Sequence, residues 1–176
     1  MSITGKKVRL RAIERSDVPT FVRWLNDPEV TQYLAMYMPM SQAREERWFE
    51  AQLEDRDGFI LGIEALDGKL IGNLGLDRID WKNSNAMLGI VIGEKEYWGQ
   101  GYGTDAITAM LGFAFQQMNL HRVYLPTYEY NTRAIRCYEK CGFKHEGRMR
   151  QAHFCDGRYH DELVMGILRE EMTHDK

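Results

Sequence analysis

The period of the hydrophobic positions changes several times along the chain, and each change marks a predicted element. Val8-Arg9-Leu10-Arg11-Ala12-Ile13 alternates, as a half-buried strand does. Val18, Phe21, Val22 and Leu25 then recur at helical spacing, with Ser16 as the expected N-cap and Pro19 inside the first turn. Asn26-Asp27-Pro28 breaks that helix, and a short second one is expected through Val30, Tyr33 and Leu34. An apolar stretch, Ala35 to Met40, precedes a charged helix from about Ser41 to Leu53. Residues 59–66 read as a strand, Asp67-Gly68 as a hairpin turn, and residues 69–80 and 86–92 as two further strands of one meander. A helix is predicted from about Gly103 to Met118, a strand from His121 to Tyr128, and a helix from Asn131 to Cys141 ending at Gly142. Two extended stretches, 148–154 and 159–168, meet at Asp156-Gly157. The order predicts a mixed α/β (α+β) fold, neither doubly wound nor all-β.

Composition narrows the class without naming it. With 176 residues the chain is expected to form one domain, 1–176, with its core over about 8–168. Its 44% hydrophobic and 28% charged residues suit a water-facing surface. A net charge of -3 gives no electrostatic case for nucleic acid. No apolar run is long enough to span a bilayer, residues 1–7 lack the apolar core of a signal peptide, and three cysteines make no disulfide frame. A reducing cytoplasm is therefore the expected setting. Cys137 and Cys141 with His145 or His153 fit no common zinc spacing, so no metal is expected.

The glycine run EYWGQGYGTDAI, residues 96–107, carries the first chemistry. Gly99, Gly101 and Gly103 open a predicted helix, where free N–H groups and the macrodipole favour an anion. A nucleotide P-loop would need Gly-Lys-Ser/Thr, which is absent. Gly101 to Ala106 fits a dinucleotide fingerprint in form, but Glu94 to Tyr97 separates it from its strand and the further βαβ units are missing. Further on, Asn131, Ala134 and Tyr138 share one helical face.

Together these segments resemble the GCN5-related N-acetyltransferase (GNAT) superfamily, in its RimJ/RimL-like and spermidine acetyltransferase-like branch. The resemblance runs from Val8-Arg9-Leu10-Arg11 through Trp98-Gly99-Gln100-Gly101-Tyr102-Gly103 to Asn131…Ala134…Tyr138…Gly142-Phe143, and takes in Glu146-Gly147-Arg148 and Asp156 to Asp161. It implies a largely antiparallel, splayed sheet flanked by helices, with acetyl-CoA as cofactor and CoA as product. The amides from Trp98 to Thr104, Gln100 included, would cradle the pyrophosphate. Ile90, Val91 and Ile92 would pair with the pantetheine arm, Asn131 and Ala134 would flank it, and Tyr138 would protonate the departing thiolate. A phenol of pKa about 10 and a thiol of about 8.5 make that transfer reasonable. In this superfamily the strands around the CoA helix part, and Pro126, which lacks a ladder donor, is expected where they have already separated.

The acceptor is less legible. Met87 stands where polyamine acetylators of the branch carry a glutamate, and Pro126 where ribosomal-protein acetylators place a base. The remaining base candidates are Asp77, Asp80, Glu129 or an ordered water. Met36, Tyr37, Met38 and Met40 are either one wall of the acceptor site or a loop packed on the core, with Trp81, His153 and Phe154 as further contributors. The expected acceptor is a protein or peptide N-terminal amine. The alternatives are a small-molecule amine (polyamine, amino sugar or antibiotic) and a non-catalytic acyl-CoA sensor. A homodimer is implied by resemblance alone.

Overall fold

The computed structural model describes residues 3–172, and its eight strands form one sheet in the order β1-β2-β3-β4-β5-β6-β8-β7. They are β1 (Ile3–Thr4), β2 (Val8–Ala12), β3 (Phe59–Ala65), β4 (Leu70–Asp80), β5 (Asn85–Ile92), β6 (Arg122–Tyr128), β7 (Lys144–Cys155) and β8 (Arg158–Leu168). Every neighbouring pair is antiparallel except β5 and β6. The helices are α1 (Val18–Leu25), α2 (Pro28–Thr31), α3 (Gln42–Glu54), α4 (Tyr102–Gln116) and α5 (Thr132–Lys140).

Alternation along β5 assigns the two layers. Ile90 and Ile92 pack against the larger core cluster, to which Ile107, Met110 and Leu111 of α4 belong, while Val91 packs against the smaller one, with Phe21 and Trp24 of α1. That smaller cluster needs Gly93: a Cβ there would lie 2.0 Å from the Trp24 ring. Trp24 is 2% exposed, and its indole N–H donates to Glu94 Oε1 at 2.9 Å.

The cofactor-side geometry follows from one interrupted ladder. β5 and β6 pair only at Asn85↔Arg122, Ala86↔Val123 and Met87↔Tyr124. Beyond Met87 they part, while β6 stays paired with β8 through Pro126↔Val164 to Tyr128↔Glu162. Pro126 thus sits in a one-sided ladder, as the splay requires, and its missing N–H costs no pairing with β5.

Three local expectations are corrected. Ser16 is not a cap: a short 3-10 turn, Arg15–Asp17, precedes α1, and Asp17 Oδ2 accepts from the Glu14 N–H at 2.8 Å. The second helix stops at Thr31, before Tyr33 and Leu34. Strand β7 begins at Lys144, not Arg148, because an edge strand exposed on both faces has no apolar alternation to read. Other elements fold as read: the helix expected from about Ser41 forms, with Ser41 Oγ accepting from the Arg44 N–H at 3.2 Å as its cap, and Gly142 ends α5 at φ 94°.

Candidate active site

The gap between β5 and β6 opens into a cleft of about 720 Å³. One wall is Met87 to Ile92 of β5, another is the loop and helix start Tyr97 to Thr104, and a third is Asn131 to Tyr138 of α5. Ile90, Val91 and Ile92 pair with Leu74, Asn73 and Gly72 on their β4 side, and their other edge faces the gap. Such an edge leaves backbone donors and acceptors for an amide-bearing chain to take up.

Gly99 and Gly101 adopt left-handed backbone (φ 69° and 84°), which only glycine enters cheaply, and they turn the loop so that α4 starts at the cleft. The first α4 bond is from the Asp105 N–H to the Gly101 carbonyl at 3.0 Å. The N–H groups of residues 99–104 therefore donate to no carbonyl or side chain among the described residues. Free donors at a helix N-terminus form a site for an anion. Basic residues the sequence reading passed over line the same cleft: Arg133, Arg136 and Lys140, spaced along one side of α5. The Arg133 guanidinium lies 3.9 Å from the Trp98 ring centroid and 5.6 Å from that of Tyr33. Trp98 itself is fixed by its indole N–H, which donates to the Ile92 carbonyl at 2.7 Å. The Gln100 side chain is not part of the cleft lining: its amide nitrogen donates back to the Glu96 carbonyl, while its backbone N–H stays with the free donors of the loop.

Asn131 caps α5, its Oδ1 accepting from the Ala134 N–H at 3.3 Å, which leaves its amide nitrogen for the cleft. Tyr138 is 8% exposed, and its hydroxyl makes no hydrogen bond among the described residues. Burial, with Cys137 and Cys141 adding to it, raises its pKa, so the phenol keeps its proton at neutral pH. The Cys137 Sγ lies 3.3 Å from Thr104 Oγ1. Its thiol is lowered, chiefly by the Cys141 thiol and then, against the effect of burial, by Thr104.

The candidate bases and the expected methionine wall lie elsewhere. Asp77 and Asp80 bind backbone and side-chain N–H groups of the β4–β5 turn region, and Glu129 binds Arg148 and the Asp161 N–H. None of the three lines the cleft. Met36 to Met40 does not line it either; Tyr37 is 91% exposed and Met40 is tied to Asn26. Tyr33, Leu34 and Ala35 form that wall instead. Trp81 and Phe154 are exposed, whereas His153 stacks on Tyr128 at 3.7 Å between centroids. One carboxylate does line the cleft, and the sequence reading missed it: Glu162 of β8.

A family profile described as an acetyltransferase (GNAT) domain matches residues 7–144. The chain belongs to the GNAT acetyltransferase family. The SPbeta prophage-derived uncharacterized N-acetyltransferase YokL of Bacillus subtilis (strain 168) is 30% identical over 96% of this chain and 93% of its own length. A crystal structure of spermidine N-acetyltransferase from Vibrio cholerae in complex with CoA and spermine superposes with a TM-score of 0.88 at 29% identity, covering 94% of this chain and 97% of that one. The putative ribosomal N-acetyltransferase YdaF of Bacillus subtilis (strain 168) is 32% identical over 65% of this chain and 64% of its own length. This acetyltransferase uses acetyl-CoA, which also removes the dinucleotide reading of Gly101 to Ala106. The residues present fit that group: unpaired amides and three cations suit its phosphates, and the open β5 edge suits its amide-bearing arm. No helix among the described residues is long and apolar enough to cross a membrane.

Proposed function

We propose that this acetyltransferase acetylates a small aliphatic amine, of the diamine or polyamine class, and not a protein N-terminus. The likeness to a spermidine N-acetyltransferase along nearly the whole of both chains carries the reading. The likeness to a ribosomal acetyltransferase spans only 65% of this chain, so it weighs less. The expectation of a peptide acceptor is reversed on that ground. Met87 in the cleft leaves cation recognition to other groups, and the aromatic faces of Tyr33 and Tyr128 with the Glu162 carboxylate supply a suitable wall.

Bound acetyl-CoA supplies a thioester carbonyl activated toward amines. The amides of residues 99–104 and the α5 cations hold its charged end. The exposed β5 edge, from Ile90 to Ile92, orients the arm from one side and the Asn131 amide from the other. Tyr138, protonated and facing the cleft, delivers its proton to the sulfur as the carbon–sulfur bond breaks.

The test is a comparison of kcat/KM across diamines, polyamines, amino sugars and N-terminal peptides, read as CoA thiol release. The reading expects an aliphatic diamine or polyamine to lead by at least about tenfold, a difference of about 1.4 kcal/mol in transition-state binding. A peptide as the best acceptor overturns it.

A further inference from the structure

We infer that Glu162 is the group that holds the incoming amine and takes its proton as the new carbon–nitrogen bond forms. Among the described residues it is the one carboxylate lining the cleft, and it has no hydrogen bond or ion pair there. Its neighbours in sequence and space are committed. Asp161 accepts from Arg148 at 2.6 Å and from the Gln151 N–H at 2.9 Å. Glu129 accepts from the Asp161 N–H at 3.0 Å and from Arg148 at 3.2 Å. Those two carboxylates share one guanidinium outside the cleft, and Glu162 is left over.

The register explains why Glu162 faces in. It pairs directly with Tyr128 across β6 and with Met149 across β7. Two residues along, Val164 pairs with Pro126, which also lines the cleft, so Glu162 and Pro126 lie on one face of the sheet. This is the stretch of β6 beyond its last contact with β5, across the gap from Ile90 to Ile92. An amine reaching the thioester there meets a carboxylate beside a stack of phenols: Tyr128 to Tyr130 is 5.6 Å and Tyr130 to Tyr33 is 6.1 Å between centroids. A half-buried carboxylate with aromatic faces is suited to an ammonium group.

An aliphatic amine, with a pKa of about 10, arrives protonated at neutral pH. The ammonium gives one proton to Glu162, directly or through a water, as its lone pair forms the bond to the carbonyl carbon. The carbon–sulfur bond breaks, and the sulfur takes the Tyr138 proton. The second proton on nitrogen restores Tyr138, and Glu162 releases its own to solvent. The sum is ammonium plus thioester giving amide, thiol and one proton. The titratable and charged groups around this end of β8 are Tyr128 on β6, Glu129 in the turn just after it, Arg148 and His153 on β7, and Tyr138 on α5.

This inference rests on the cleft being the acyl-transfer site; it does not rest on the acceptor being small. The experiment uses the full chain and whichever acceptor, small amine or peptide, gives the wild type its best rate. If no diamine or polyamine serves, the small-amine reading fails while the Glu162 test still runs. Glu162→Gln is expected to lower kcat/KM by about 10²–10⁴-fold near neutral pH. The deficit should shrink as pH rises toward the acceptor's pKa. Glu162→Asp should recover part of the activity, and a weakly basic amine already neutral at the assay pH should lose far less than the ammonium-forming acceptor. Thermal stability and acetyl-CoA affinity should not move, since the amide substitution at this position breaks no bond. A Glu162→Gln enzyme with the wild-type rate and pH profile overturns the assignment, as does an equal loss for neutral and protonated amines.

Discussion

Replacing Tyr138 by phenylalanine removes one oxygen atom from the cleft and little else. The ring is 8% exposed and packs on Phe143 with 5.9 Å between centroids, contacts that phenylalanine keeps. The hydroxyl has no protein partner among the described residues, so its loss strands no donor or acceptor. The expected change in stability is under about 1 kcal/mol. The kinetic effect is of another size: a positioned general acid contributes about 10²–10⁴-fold, or roughly 2.7–5.4 kcal/mol of barrier. Burial holds the proton on this phenol, so the wild type keeps its acid throughout the neutral range. The assay is thiol release at saturating acetyl-CoA and amine from about pH 6.5 to 9, with thermal melting and acetyl-CoA affinity measured on the same preparations. The variant should match the wild type in both controls and lose at least about a hundredfold in kcat. A variant with unchanged kcat across that range refutes Tyr138 as the acid, whatever the fate of the acceptor assignment.

Three further outcomes follow from other parts of the molecule. Cys137, its thiol lowered by Cys141 and Thr104 and lining the cleft, should be alkylated by iodoacetamide at about pH 7.5, and acetyl-CoA at a hundred times its Kd should slow that about a hundredfold, read by mass spectrometry; no protection would place the cofactor elsewhere. Gly93→Ala forces a Cβ to 2.0 Å from Trp24 and should cost about 2 kcal/mol or more, roughly 5 °C in Tm; an unchanged Tm contradicts the packing. Glu64 is held below its ordinary value of 4.5 by Arg9 and then Arg11, with burial opposing them. Its stabilisation is therefore full above that value and drains as pH falls through the lower folded one. Glu64→Gln should melt below the wild type at about pH 7, with the gap closing as pH falls below the ordinary value of 4.5 and through the lower folded one.

The parts of the fold legible in the sequence were those whose cause is local. Alternation revealed β2 and the meander, Asp67-Gly68 its first turn, and Asn131 and Gly142 the ends of α5, because each signal acts on the backbone next to it, through a capping side chain or through a glycine free to take positive φ. Pro126 is an intermediate case: its missing donor told that a ladder must be open, and only the register told on which side. Glu162 gave no local signal at all. In Arg158-Tyr159-His160-Asp161-Glu162 it is one polar strand residue among several, and it faces the cleft only because β8 returns beside β6. Asp77, Asp80 and Glu129 were plausible for the same reason that they were misleading: a carboxylate's sequence position says nothing of the N–H groups already bound to it. The α5 cations were missed because exposed arginines and lysines on a helix usually mean only a solvated face.

The most direct test is a crystal structure of the full chain with CoA and its best amine acceptor. The account predicts the pyrophosphate on the amides of residues 99–104, the arm along Ile90 to Ile92 and Asn131, the sulfur beside the Tyr138 hydroxyl, and the amine nitrogen between that sulfur and Glu162. CoA bound outside the β5–β6 gap, or an amine whose nitrogen lies away from both Tyr138 and Glu162, would contradict it.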